Sequence, residues 1–90
     1  MRRVRILIIG NVTGVSFRYF IKQKALGLGL TGYVKNTEDK KVEAVFEGNS
    51  EKINKIIKYC HLGPKMSKVI NVKVIEEEPQ HLFGSFDIFN

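Results

Sequence analysis

Cysteine is nearly absent from this chain of 90 residues, since it occurs only once, as Cys60. A single cysteine allows no disulfide within the chain and no cluster of cysteine ligands for a metal ion. This cysteine usage is typical of proteins from a reducing cytosol. Long apolar runs are also missing: the run at residues 6–9, after a basic start, has four residues. A signal-peptide core needs roughly 7–15 such residues and a membrane span needs ~20, so we expect a soluble, unprocessed, cytoplasmic protein.

The length and composition favour a single globular domain, which we place at residues 1–90. The sequence contains 43% apolar and 27% charged residues, as ordinary globular domains do. It has no repeat, no low-complexity tract and no linker. Fifteen Lys and Arg against nine Asp and Glu give a net charge of +6. Such a charge attracts anions, which include both phosphorylated metabolites and nucleic acids.

The apolar pattern predicts five strands and two helices. The first helix runs from Phe17 to about Leu28, with apolar residues at helical spacing and glycines at its end. The second begins after Asn49 or Ser50 and ends at Gly63. The predicted strands are residues 4–9, 31–37, 41–47, 70–74 and 82–89. This order predicts an α+β, ferredoxin-like β-α-β-β-α-β sandwich, with both helices on one face of an antiparallel sheet and a short C-terminal strand added.

Several residues outside the candidate site are interpreted as parts of the fold. Ile70, Val72 and Val74 alternate with Asn71 and Lys73, which predicts the fourth strand. Cys60 lies on the apolar stripe of the second helix and is expected in the core. We expect His61 at a helix end, His81 in the last loop, and solvated carboxylates at Glu38, Asp39 and residues 76–78.

The segment from Gly10 to Arg18 joins the first strand to the first helix. Backbone N–H groups at a helix N-terminus lack intrahelical partners and carry positive potential. Glycines at positions 10 and 14 let the main chain approach an anion closely, and Arg18 can place a charged fork beside the same anion. The alternative is a tight strand-to-helix connection with a solvated arginine.

Asn36 ends the second strand, in the segment Gly32-Tyr33-Val34-Lys35-Asn36. In the predicted topology this strand end and the start of the first helix lie close together, so its side-chain amide could be near Arg18. The alternative is an asparagine that takes a turn conformation before the hairpin.

Together the two segments resemble a known family. Residues 10–18, Gly-Asn-Val-Thr-Gly-Val-Ser-Phe-Arg, are similar to the acylphosphatase signature G-x-V-Q-G-V-x-F-R, and residues 32–36 are similar to its second signature, G-[aromatic]-V-x-N. The resemblance extends over nearly the whole chain. Thr13 departs from it, because the family usually has Gln at this position.

The resemblance implies that the chain hydrolyses the carboxyl-phosphate bond of acyl phosphates. It assigns phosphoryl binding to Arg18 and orientation of the attacking water to Asn36. Backbone amides would complete the phosphate site at Val12, Thr13, Gly14, Val15, Ser16, Phe17 and Arg18. Because the leaving group is a carboxylate whose conjugate acid has a pKa of about 4, no general acid, metal or cofactor is required.

We expect the partners to be a small-molecule acyl phosphate and inorganic phosphate, and the protein to be a monomer that binds neither nucleic acid nor membrane. Two alternatives remain at this stage. One is a ferredoxin-like RNA-binding module, although the third strand has Phe46 as its only aromatic residue. The other is a phosphate sensor that has the fold but no turnover.

Overall fold

The computed structural model describes residues 1–14 and 16–89. Within this range the chain forms two helices and five strands. These elements are β1 (Arg2–Asn11), α1 (Phe17–Gly27), β2 (Thr31–Asn36), β3 (Val42–Gly48), α2 (Ser50–Leu62), β4 (Lys68–Glu77) and β5 (Phe86–Phe89). In the described part of the chain, neither helix has the length and apolar character that crossing a membrane requires.

The strands form one sheet in the order β4-β1-β3-β2-β5. The three pairings among β4, β1, β3 and β2 are antiparallel. This pattern confirms the ferredoxin-like α+β arrangement. The closing strand differs from the prediction in two respects. It begins at Phe86 rather than Leu82, and it pairs in parallel with β2, so the complete sheet is mixed.

The register on the central strand β3 brings two strand ends together. Ile8 of β1 lies opposite Val42, and Asn36 of β2 lies opposite the same residue on the other side. Because β1 and β2 both run antiparallel to β3, they are parallel to each other. The segment that follows β1 and the last residue of β2 therefore lie at the same edge of the sheet.

The core lies between the sheet and the two helices. Phe17, Ile21 and Ala25 face it from α1, which confirms the predicted stripe. Asn49 caps α2, because its Oδ1 accepts a hydrogen bond from the Lys52 backbone N–H at 2.9 Å. Cys60 is buried as predicted, and burial raises the pKa of its thiol.

The predicted fourth strand is present as β4, but its regular alternation is interrupted at Ile70. The pairing of β1 with β4 shifts at Ile9 and Gly10, which lie opposite Asn71 and Val69. Ile70 is thus an extra residue in a β-bulge, which breaks the alternation of side chains, and it is 73% exposed. The bulge also brings β4 close to Gly10, where a Cβ would overlap the carbonyl oxygen of Lys68.

The face of the sheet opposite the helices carries a network of ion pairs. Arg3 Nη1 lies 3.1 Å from Glu47 Oε2, and both side chains are almost fully buried. Arg3 Nε and Arg5 Nε each lie 2.8 Å from an oxygen of Glu77. The prediction of a solvated charge run is therefore wrong for Glu77, which belongs to β4 and is half-buried between two arginines.

Glu47 also holds the loop that precedes β5. Its two carboxylate oxygens accept hydrogen bonds from the backbone N–H groups of Gln80 and His81, at 2.8 and 3.1 Å. Burial alone would raise the pKa of Glu47, but the hydrogen bonds from Gln80, Arg3 and His81 outweigh it and hold that pKa below its ordinary value. The carboxylate therefore joins the central strand to the C-terminal segment in its ionised form.

We predict that Glu47→Gln lowers the free energy of unfolding by about 3 kcal/mol, because it leaves the Arg3 guanidinium buried beside a neutral group. Glu76→Gln is the matched control, since the Glu76 pair with Arg2 is exposed and such pairs contribute little. Urea unfolding of both variants measures the difference. Equal losses in the two variants would contradict this role for Glu47.

Stability should also fall in acid. Hydrogen bonds from Arg5 and Arg3 hold the pKa of Glu77 below its ordinary value. A carboxylate whose pKa is lower in the folded than in the unfolded state stabilises the protein. The contribution is complete above the unfolded-state pKa of about 4.3, and it is lost as the pH falls through the folded-state pKa. We predict that the melting temperature decreases below about pH 4.5 and that Glu77→Gln makes this decrease shallower. Parallel melting curves for the two proteins across this range would contradict the prediction.

Candidate active site

Two residues of the connection between β1 and α1 have a backbone conformation that occurs in anion-binding turns. Gly14 and Ser16 both adopt the left-handed conformation, with φ of 72° and 63°. Left-handed residues in such turns direct successive N–H groups toward one point. For Ser16 this conformation is uncommon and costs energy, as it does for any residue other than glycine.

The N-terminus of α1 has no anionic or hydroxyl cap of its own. The Ser16 side chain makes no capping hydrogen bond, and the first turn contains no acidic residue. The first helical hydrogen bond runs from Phe20 N–H to the Ser16 carbonyl oxygen, at 3.0 Å. The N–H groups before Phe20 are therefore the ones that an α-helix leaves without intrahelical partners, at the positive end of its dipole.

A cavity of about 190 Å³ opens at this turn. It lies where the ends of β1 and β2 meet beside the start of α1. The residues that line it are Val12, Gly14, Ser16, Phe17, Arg18, Tyr19, Asn36 and Ile88. The cavity therefore unites the two sequence segments that were singled out as candidate sites, and it adds one residue from β5.

Arg18 lies in the first turn of α1 and is half-buried. Its Nη1 donates a hydrogen bond to the carbonyl oxygen of Phe89 at 3.4 Å, which ties the guanidinium to the end of β5. A guanidinium keeps its charge at all ordinary pH values and can donate several hydrogen bonds at once. Arg18 thus places a permanent positive charge in the cavity wall.

Asn36 contributes a polar atom of a different kind. Among the described residues, its Oδ1 is a buried acceptor with no hydrogen-bond partner in the protein. Buried polar atoms are nearly always paired, and an unpaired one costs about 1–3 kcal/mol. This acceptor lies in the same cavity as the electropositive helix end and is suited to receive a hydrogen bond from a molecule bound there.

Most of the predicted site residues come together. The cavity wall includes Arg18, Asn36 and four of the predicted loop residues, Val12, Gly14, Ser16 and Phe17. Thr13 is half-buried and is not among the described residues of the wall, and Val15 lies outside the described residues. Sequence reasoning missed Tyr19, whose position next to Arg18 was a usable signal, and Ile88, whose position depends on the parallel pairing of β5.

Other reactive side chains lie elsewhere. His61 and His81 are exposed, and Cys60 is in the core. Within residues 1–14 and 16–89, no three His, Cys, Asp or Glu side chains come together in a way that could hold a metal ion. The polar side chains that line the cavity are those of Ser16, Arg18, Tyr19 and Asn36.

The unpaired Oδ1 leads to a prediction about stability. Asn36→Leu, which replaces the amide by an apolar group of similar shape, should keep the free energy of unfolding within about 1 kcal/mol of the original value, because Oδ1 makes no hydrogen bond to another described residue that would be lost. Thermal and urea unfolding measure the difference. A variant less stable than the original protein by more than this amount would show that the Asn36 side chain supports the fold rather than the site.

Comparison with known proteins identifies the family. The acylphosphatase family model matches residues 4–88. An acylphosphatase of Trichormus variabilis is 45% identical over 82 residues, which are 91% of this chain and 81% of that protein. An acylphosphatase of Thermococcus kodakarensis is 43% identical over 86 residues and covers 93% of this chain and 94% of its own length.

The fold leads to the same assignment. The crystal structure of an acylphosphatase from Bacillus subtilis superposes with a TM-score of 0.96 at 33% identity, and the match covers 100% of both chains. The similarity in sequence and in structure thus extends over almost the whole chain. The chain belongs to the acylphosphatase family of hydrolases.

Proposed function

We propose that the chain hydrolyses acyl phosphates to a carboxylate and inorganic phosphate in the cavity at the start of α1. The observation that carries this proposal is a pairing of two groups in one cavity. Arg18 and the N-terminus of α1 supply positive charge, and the unpaired Asn36 Oδ1 supplies a hydrogen-bond acceptor. The oxygens of a dianionic phosphoryl group accept hydrogen bonds and donate none, so the acceptor is suited to a second molecule, for which water is the simplest candidate.

The phosphoryl group is bound by the turn and by Arg18. Backbone N–H groups of the turn and of the first helical residues donate to its oxygens, and the guanidinium donates from the side. In phosphoryl transfer the transition state is loose and its negative charge is spread over the equatorial oxygens. Donors that are already fixed in place stabilise that charge without reorganisation, and this is where most of the rate acceleration would arise.

Asn36 orients the water. Its Oδ1 accepts a hydrogen bond from one O–H of the water molecule, so a lone pair on the water oxygen is directed at phosphorus, opposite the leaving group. An amide does not remove a proton at neutral pH, so the contribution is one of positioning. The burial of Asn36 Oδ1 favours this role, because no described protein group donates a hydrogen bond to this oxygen and a water molecule in the cavity can do so.

The bond changes balance without an acid, a base or a metal. The water oxygen forms a bond to phosphorus, and the bond from phosphorus to the bridging oxygen breaks with both electrons on that oxygen. From a dianionic acyl phosphate the products are a carboxylate and dihydrogen phosphate, which keeps both water protons. Because the carboxylate is a weak base, it leaves without protonation at neutral pH.

The proposal includes a cytoplasmic monomer that acts on small acyl phosphates and binds neither nucleic acid nor membrane. The single, buried Cys60 supports a reducing environment. The proposed site recognises the phosphoryl end, so substrates with different acyl groups should be accepted.

The proposed role of Arg18 in binding the phosphoryl group can be tested by substitution. Arg18→Ala should lower kcat/KM for benzoyl phosphate by about 10³-fold or more and should weaken competitive inhibition by inorganic phosphate, because a preorganised donor to the phosphoryl oxygens is lost. Lys22→Ala, one turn further along α1, is the matched control and should behave like the original protein. Retention of the original rate by Arg18→Ala would contradict the proposal.

The role of Asn36 predicts a different kinetic signature. Asn36→Ala should lower kcat by about 10²–10³-fold and leave inhibition by phosphate nearly unchanged, since the amide orients the water and does not hold the phosphoryl group. Steady-state kinetics with phosphate as inhibitor separate the two effects. Weaker phosphate inhibition with an unchanged kcat would show that Asn36 binds the substrate instead.

A further inference from the structure

The short strand β5 is held from both faces of the sheet by aromatic stacking. On the helix side, Phe86 stacks on Phe46 with ring centroids 5.2 Å apart and planes 11° from parallel. On the opposite side, Phe89 stacks on Tyr33 at 4.7 Å and 8°. A strand of four residues makes few backbone hydrogen bonds, so the ring pairs with Phe46 of β3 and Tyr33 of β2 help to hold β5 in place.

The ring of Tyr33 is itself fixed at its hydroxyl end. The hydroxyl donates a hydrogen bond to Glu43 Oε2 at 2.9 Å and accepts one from Arg5 Nη1 at 3.0 Å. Burial and the Glu43 carboxylate raise the pKa of the Tyr33 hydroxyl above its ordinary value, so it keeps its proton at neutral pH. Phe83 contacts the same ring edge-on at 6.0 Å. Phe89 therefore stacks on a ring whose position is set by β1, β2, β3 and the loop that contains Phe83.

The stacked residue Phe89 is also the one that contacts Arg18. Its carbonyl oxygen accepts the hydrogen bond from Arg18 Nη1 at 3.4 Å, and its neighbour Ile88 lines the cavity. We propose that Tyr33 is a positioning residue for Arg18: its ring holds Phe89, and the Phe89 carbonyl oxygen orients the guanidinium toward the bound phosphoryl group. The inference rests on the function proposed above, because it assumes that Arg18 binds this group.

A second route from Tyr33 to the site has to be separated from this one. Tyr33 and Asn36 lie in the same strand, three positions apart, so a change at Tyr33 could disturb Asn36 instead. The two routes have different signatures. Misplacement of Arg18 weakens phosphate binding, whereas misplacement of Asn36 lowers kcat and leaves phosphate binding unchanged.

The experiment measures the dissociation constant of inorganic phosphate by calorimetry and, in parallel, kcat and KM for benzoyl phosphate. Tyr33→Leu and Phe89→Leu each remove the stack, and each should weaken phosphate binding by about tenfold, because a guanidinium displaced by ~1 Å loses much of its effect. The double variant should bind phosphate no more weakly than either single variant, since both changes break the same contact. Tyr33→Phe keeps the ring and should restore binding to within about twofold of the original protein.

Tyr59→Leu is the matched control for Tyr33→Leu. It makes the same chemical change at a ring of α2 that contacts Phe20 and Lys24 and takes no part in the proposed chain to Arg18, so it should leave the phosphate dissociation constant unchanged. Thermal unfolding of each variant verifies that it is folded at the temperature of the titration.

The possible outcomes are distinct. Weaker phosphate binding in Tyr33→Leu and Phe89→Leu, without a further loss in the double variant, supports the inference. Unchanged phosphate binding in both, or a loss confined to kcat, overturns it even if the protein is an active acylphosphatase. If the original protein binds phosphate but does not hydrolyse benzoyl phosphate, the proposed function fails while the phosphate titrations still decide the role of Tyr33.

Discussion

The common register of β1 and β2 on β3 is the constraint on which the site depends. Because Ile8 and Asn36 lie opposite the same residue, Val42, the turn after β1 and the end of β2 meet at one edge of the sheet. A shift of either strand by one residue would turn its side chains to the other face of the sheet. It would bury the wrong side chains and separate Asn36 from the turn. The strand register that buries the apolar side chains therefore also places the Asn36 amide beside the turn at the start of α1.

The site itself carries features that oppose stability. The left-handed conformation of Ser16, the uncapped start of α1 and the unpaired Oδ1 of Asn36 each cost free energy in the folded protein. A sequence optimised for stability alone would remove them. Their occurrence around one cavity is what a preorganised binding site requires, because groups that are already desolvated and fixed do not need to reorganise when the substrate reacts. The ion pairs of the opposite face, with Arg3 and Glu47 at their centre, stabilise the sheet on which this site is built.

Much of the molecule follows from local sequence patterns. The order of elements, the apolar stripes of both helices and the pairing of the turn with Asn36 were all predictable, since each depends on periodicity or on a short motif. The features that were missed depend on contacts between distant residues. The bulge at Ile70 arises from the pairing of β4 with β1, and the burial of Glu77 depends on two arginines more than 70 positions away. Ile88 reaches the cavity only because β5 pairs in parallel with β2. Nothing in the four residues of β5 specifies this pairing.

The central claim is that water attacks phosphorus, and isotopic labelling tests it most directly. The protein would hydrolyse benzoyl phosphate in water enriched in oxygen-18, and the products would be analysed by mass spectrometry. If a water molecule oriented by Asn36 attacks a phosphoryl group held by Arg18, the label enters inorganic phosphate and the benzoate stays unlabelled. Label in the benzoate would show that the carbonyl carbon is the site of attack, and it would contradict the mechanism proposed for this cavity.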